Sequence, residues 1–258
     1  MNTKNEIYLD NYEKVSDEIK HITNSVIRLH LLFSLFESNM TMKEINDATG
    51  LSYSAISTNV HALESTGFIT REGNKYFLSN DMEFYLKNLN ELNKTINILE
   101  IFNNLFENHK VRGIPNDLIS EIHMIEDSNL LESSGINAYK INKIILNNIK
   151  KSDSLKAIIP INFQDLTDSI GGLLEKGKKV ELKIAKPIYK RFTENINVKS
   201  SNLKINEIEK DFNFLLIISD KTTMLGLYKK DGSYDQNRIL ISQSPESLKW
   251  AQNLFKSI

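Results

Sequence analysis

Between residues 51 and 69 the chain reads L-S-Y-S-A-I-S-T-N-V-H-A-L-E-S-T-G-F-I, and this segment restricts the fold more than any other. Ile56, Val60 and Leu63 recur at steps of four and three, so a helix from Leu51 to Thr66 buries one side and leaves the other polar. Ser52 or Ser54 can cap it by accepting from a free N–H of the first turn. Gly67 stops the helix. Phe68 to Arg71 and Lys75 to Ser79 then read as short strands, and Gly73-Asn74 between them tolerate the positive φ of a tight hairpin. Upstream, Met42 to Ala48 reads as a small helix ended at Thr49-Gly50. Before it, a helical stripe runs from Tyr12 through Val15, Ile19, Ile22 and Val26 to Phe36. Thr23, Asn24 and Ser25 offer a break and a cap, so one long helix and two consecutive ones fit equally.

Helix, short loop, helix, loop, helix and hairpin between Asn24 and Ser79 is the order of a winged helix-turn-helix. The third helix of that fold enters the major groove of DNA, and the hairpin touches the backbone. The buried stripe turns Tyr53, Ser54, Ser57, Thr58 and His61 outward, with Ser52 at the helix start; all can hydrogen-bond to phosphates or base edges. Arg71 and Lys75 flank the wing tip, within reach of phosphates or the minor groove. The charge is thin for this task, because residues 24 to 80 hold four basic against five acidic side chains. Docking to protein is therefore the alternative use of the same surface.

From Asp81 to about Lys110 a long helical pattern carries Tyr85, Leu89, Leu92, Ile96, Leu99 and Phe106 at heptad-like spacing, which suits a helix–helix seam. Together with the Tyr12 to Phe36 stripe it predicts dimerising arms around the DNA-binding part and a homodimer. After Gly113-Ile114-Pro115 comes a short helical stretch, and Ser133-Ser134-Gly135 reads as a linker. Beyond it, strand Leu155 to Pro160, helix Asp165 to Lys176 and strand Val180 to Ala185 make a β-α-β unit. Pro187 to Asn195 reads as a helix, with strands at 203–208, 212–219, 223–229 and 238–242 and a closing helix at 245–257. The expected organisation is α plus α/β: residues 1–80 a winged helix, 81–140 a connecting and dimerising segment, 141–258 an α/β sensor or output domain.

Composition narrows the chemistry. No cysteine occurs in the 258 residues, which removes disulfides and thiolate sites. The N-terminus lacks the apolar run of a signal peptide, and no stretch reads as a membrane span, so a cytoplasmic protein is expected. The net charge of -1 hides an acidic first part and a basic part beyond residue 141. That surplus suits a small anionic effector, although solvated lysines explain it as well. All five histidines lie before residue 141, so a histidine base, a His/Cys metal site and a Ser-His-Asp triad are not expected in the last domain. No phosphate-binding G-x-x-x-x-G-K-[ST] loop occurs, and neither a cofactor nor a metal is expected. Lys186 and Arg191, at the end of a strand and the start of a helix, and Asp220, at another strand end, are the candidate effector residues; Asp220 reads equally well as a turn residue.

The Leu51 to Ile69 segment resembles the recognition helix and following turn of regulators typified by arsenic and multiple-antibiotic-resistance repressors. F-L-L-I-I-S-D-K-T-T-M-L-G-L-Y-K-K-D-G-S-Y-D at 214–235, S-P-E-S-L-K-W-A-Q-N-L-F at 244–255 and G-I-P-N-D-L-I-S-E-I-H-M-I-E-D-S at 113–128 resemble an archaeal family of winged-helix regulators known from methanogens and named after a methanogenesis regulatory protein. The resemblance implies an archaeal source and a C-terminal domain like half of a phospholipase D fold. Active enzymes of that fold need a paired H-x-K-x-x-x-x-D motif, which this sequence lacks, so a sensing or output role is implied rather than hydrolysis. The expected function is a dimeric, ligand- or partner-responsive regulator on double-stranded DNA. The alternatives are a protein-docking scaffold of the archaeal transcription machinery and a phosphodiesterase tethered to DNA.

Overall fold

The computed structural model describes residues 4–111, 113–163, 165–196, 199–209 and 212–258. The chain forms two compact units, Met1–Leu92 and Asn93–Ile258. The sequence suggests divisions near 80 and 140, and the packing of residues 98–132 accounts for the difference.

In the first unit, α1 (Lys4–Thr23) and α2 (Val26–Glu37) are separate helices, because Ser25 Oγ accepts the Arg28 amide at 3.2 Å and starts a new one. Then come β1 (Met40–Thr41), α3 (Met42–Thr49), α4 (Tyr53–Ser65), β2 (Ile69–Glu72), β3 (Lys75–Leu78) and α5 (Asn80–Ile101). The small sheet has the order β1-β3-β2 and is antiparallel throughout. One core holds Leu31, Leu32 and Leu35 of α2, Ile45 of α3, and Ile56, Val60 and Leu63 of α4. Met82 and Leu86 of α5 join them. This is the winged helix-turn-helix arrangement expected from the sequence, with β1 added to the wing.

The second unit contains α6 (Asn103–Asn108), β4 (His109–Lys110), α7 (Asn116–Ser120), a 3-10 turn (Ile122–Ile125), β5 (Asn129–Glu132), α8 (Lys140–Lys151), β6 (Ser154–Ile159), α9 (Leu166–Glu175), β7 (Lys179–Ala185), α10 (Lys186–Glu194), β8 (Leu203–Ile208), β9 (Phe214–Ser219), β10 (Thr223–Lys229), β11 (Arg238–Ser242) and α11 (Pro245–Ser257). The mixed sheet runs β5-β11-β10-β9-β6-β7-β8, with β4 pairing on β10. β6, β7 and β8 are parallel, whereas β9, β10, β11 and β5 each pair antiparallel. β9 is buried from Phe214 to Ile218 because both faces are covered, which is why it reads as an unbroken apolar run. Its side chains alternate: Phe214, Leu216 and Ile218 share a core with Ile98, Phe102, Leu105 and Trp250. Leu215 and Ile217 share the other core with Ile141, Ile145 and Ile149 of α8 and with Leu166 and Ile170 of α9.

Two sequence expectations change here. The long helix expected to reach Lys110 ends at Ile101, because Phe102 leaves the helical conformation (φ -107, ψ 20) before α6 begins. Ser133 to Gly135 is no simple linker, since β5 just before it pairs with β11 and Ser133 N donates to Asn237 O at 2.8 Å. The second unit reaches back to Asn93 and so includes His109 and His123, both before residue 141. His109 is 4% exposed and its Nε2 lies 2.9 Å from Oδ2 of Asp235, which is 3% exposed. Its Nδ1 lies 2.6 Å from the Leu105 carbonyl oxygen. A carbonyl only accepts, so Nδ1 donates to it and Nε2 faces the carboxylate.

Removing one member of a buried pair leaves its partner unsatisfied and typically costs about 3–5 kcal/mol. Asp235→Ala is expected to lower the urea midpoint accordingly. Trp250, the single tryptophan and 1% exposed in the same unit, provides the fluorescence signal for that measurement.

Candidate nucleic-acid interface

The exposed face of α4 is positioned by hydrogen bonds on either side of it. Thr41 and Glu44 form a reciprocal capping box at the start of α3: Thr41 Oγ1 accepts the Glu44 amide at 3.3 Å and Glu44 Oε2 accepts the Thr41 amide at 2.7 Å. The backbone bond from Thr41 holds the Glu44 carboxyl below its ordinary range. Gly50 adopts φ 68 and ends α3, a conformation a side chain resists. Asn46 Nδ2 donates to the Leu51 carbonyl at 2.7 Å, fixing the turn into α4. Ser52 is the cap of α4, its Oγ accepting from the Ala55 amide at 3.2 Å, and Ser54 Oγ lies 3.1 Å from it. At the far end the Phe68 amide donates to Leu63 O at 2.9 Å while Gly67 takes φ 76.

Ile56, Val60 and Leu63 are all at most 2% exposed, and this sets the rotation of the helix. Tyr53, Ser54, Ser57, Thr58 and His61 are exposed together on the other side, Tyr53 by 50%. Thr58 Oγ1 donates back to Ser54 O at 2.9 Å, which leaves its oxygen lone pairs free to accept. On the wing, Arg71 pairs across from Tyr76 and Glu72 from Lys75, with Gly73 in the turn at φ 63. Arg71 Nε donates to Gly73 O at 3.0 Å and its guanidinium lies 5.4 Å from the Tyr76 ring centre. That anchoring holds the guanidinium beside the turn, and the stacking with Tyr76 was not foreseen from sequence. β1 was also missed, because two residues, Met40 and Thr41, carry no readable alternation.

The three candidate effector residues do not gather. Lys186 begins α10 and pairs with Glu209 at 2.7 Å; Arg191 lies exposed on the same helix. Asp220 follows β9, where its Oδ1 accepts the Asp153 amide at 2.9 Å. Since β9 runs against β6 and β6 runs with β7, Asp220 and Lys186 stand at opposite ends of the sheet. Asp220 thus ties the turn after β9 to the start of β6. Among the described residues no cluster of three or more His, Asp or Glu could hold a metal ion, and no helix is long and apolar enough to cross a membrane.

Three helices with a wing, followed by a mixed α/β unit, is the architecture of winged-helix regulators. Residues 16–99 match the N-terminal domain, and residues 138–258 the middle domain, of the methanogenesis regulatory protein FilR1. The two matches cover most of the chain in consecutive order, and over both stretches the chain is similar to these regulatory proteins. Methanogenesis regulatory protein FilR1 of Methanothrix harundinacea (strain 6Ac) is 22% identical over 251 residues, 92% of this chain, but the chain spans only 56% of that protein's length. Among solved structures, TrmBL2, described as an archaeal chromatin protein with a novel mode of DNA binding, superposes with a TM-score of 0.40 at 13% identity, over 93% of this chain and 95% of that one. The apo form of the S-adenosylmethionine-dependent methyltransferase SibL reaches 0.28 at 11% identity, over 77% and 64%.

Ser52→Ala is expected to lower stability by about 1 kcal/mol through loss of the cap. Ser57→Ala, on the exposed face of the same helix, is expected to stay within about 0.5 kcal/mol. Thermal melts followed by circular dichroism compare the two, and equal effects would contradict the capping role.

Proposed function

We propose that the chain is a cytoplasmic transcription regulator that binds double-stranded DNA as a homodimer, placing α4 in the major groove and the β2–β3 wing on the backbone. The observation that carries this reading is the exposed row Tyr53, Ser54, Ser57, Thr58 and His61 on a helix whose other side is locked into a core. The relative's name, a regulatory protein, agrees with it. Ser57, Thr58 and His61 read base edges, while Ser52, Tyr53, Ser54, Arg71 and Lys75 position the protein on phosphates and sugars. The dimer is supported by apolar side chains left uncovered on α1 and α5: Tyr12, Val15, Ile19, Tyr85, Leu92, Ile96 and Leu99 are each at least 40% exposed. In this reading the second unit responds to a ligand or partner and alters the spacing of the two α4 helices, without catalysis. Its kinship is with half of a phospholipase D fold, and the absent H-x-K-x-x-x-x-D motif supports the non-catalytic assignment.

A gel shift and footprint on the DNA upstream of the chain's own gene test the proposal. Binding is expected at low salt. Arg71→Ala and Lys75→Ala should each weaken it evenly across sequences and reduce the salt slope by about 1. Ser57→Ala, Thr58→Ala and His61→Ala should change which sequences are preferred. The balance of four basic against five acidic residues in 24–80 favours a second reading, docking to a protein of the transcription machinery. A folded dimer that fails to bind DNA at low salt would select it, and sedimentation as a monomer at micromolar concentration would exclude the homodimer.

A further inference from the structure

A cavity of about 510 Å³ opens in the second unit beside the buried His109–Asp235 pair, between the start of β4, the end of β5 and the turn after β10. That volume suits a small metabolite. Its walls carry three carboxylates and three basic side chains, and the hydrogen bonds decide which charges remain available. Glu132 is paired with Arg238 Nε at 2.8 Å. Asp231 accepts the Ser233 amide at 2.8 Å and the Ser233 hydroxyl at 2.7 Å. Asp235 is held by His109 and by the Asn237 amide at 3.0 Å. Each acid is held inside the protein, and after the Ser233 hydrogen bonds the charges of Lys229 and Lys110 also help keep the Asp231 carboxyl below its ordinary range. Lys229 and Lys230 also line the cavity, and neither has an ion-pair partner among the described residues. Lys110 approaches the same turn, its Nζ 3.6 Å from where a Cβ on Gly232 would stand.

One further group on the wall lacks a partner. Ser133 Oγ is out of solvent and makes no hydrogen bond, while the Ser133 backbone is tied to Asn237 O. An unsatisfied buried hydroxyl costs about 1–3 kcal/mol, and a small shift of the wall that turns it to a ligand oxygen would remove that cost. The uncommitted chemistry of the cavity is thus cationic at the rim and hydroxylic at the wall.

We infer that this cavity binds a small oxyanion, a phosphate or carboxylate group, held by Lys229 and Lys230 with Ser133 as a neutral donor. The site stands apart from Lys186, Arg191 and Asp220, and it does not depend on the DNA-binding reading.

Isotope-labelled full chain titrated with inorganic phosphate, and separately with succinate, tests the inference against sodium chloride at matched ionic strength. The expected result is saturable amide shifts confined to residues 108–110, 132–133 and 229–238 with at least one of the two anions; the responding anion identifies the group. The K229Q/K230Q double variant should weaken that binding at least tenfold. Ser133→Ala should weaken it by a smaller factor while the amide spectrum elsewhere is unchanged. Shifts reproduced by chloride, shifts spread over other lysine-rich surfaces, no saturation with either anion, or unchanged affinity in the double variant would each overturn the site. The same samples assayed by gel shift keep this outcome separate from that of the DNA-binding proposal.

Discussion

The burial of Ile56, Val60 and Leu63 against α2, α3 and α5 is the constraint on which the regulatory reading rests. A helix has one free rotation about its axis, and three fully buried side chains on one stripe remove it. The row from Tyr53 to His61 is exposed as a consequence and keeps its orientation without help from its own polar groups. The two turns finish the work: Gly50 and Asn46 set where α4 begins, and Gly67 directs the chain at once into the wing. Replacing a buried residue of this stripe by alanine would cost about 2–5 kcal/mol and loosen the whole outward face at once.

How much could be read in the sequence differs between the units for a physical reason. In the first, the contacts are local and the punctuation is strong, so the stops at Gly50 and Gly67 and the cap at Ser52 place α3, α4 and the hairpin within one or two residues. In the second, the strands and helices from β6 to α11 were also legible, because β9 is a continuous apolar run and α9 a clear stripe. What escaped depends on distant pairing. β4 and β5 are too short to show alternation, and they exist because they pair with β10 and β11 over a hundred residues away. α8 is a different omission: Ile141, Ile145 and Ile149 repeat at every fourth residue, a helical signal that stands just after the Ser133 to Gly135 punctuation. By packing, residues 93–140 join the second unit, which therefore includes histidines that lie before residue 141.

Electrostatics set the terms on which the first unit can meet a polyanion. Nearly balanced charge over residues 24 to 80 gives little of the counterion release that drives non-specific DNA affinity. Hydrogen bonds from serine, threonine and tyrosine orient a protein on phosphates but contribute less attraction at a distance. Two copies joined by the uncovered apolar faces of α1 and α5 would add their contacts in one binding event, so dimerisation and DNA binding are energetically linked in the proposed function. A single copy lacks that advantage.

His109 is tied into a structural contact and is not poised as a general base. A general base needs a ring nitrogen with a free lone pair directed at a substrate proton. Here Nδ1 must be protonated to satisfy the Leu105 carbonyl, and Nε2 is taken by Asp235, so neither nitrogen can accept from a third group while both bonds stand. The carboxylate is equally occupied, since its second oxygen accepts the Asn237 amide. The pair is therefore a structural clasp between β4 and the turn that leads into β11, and it fixes one side of the adjacent cavity. A fixed polar wall with lysines beside it suits holding an anion in place.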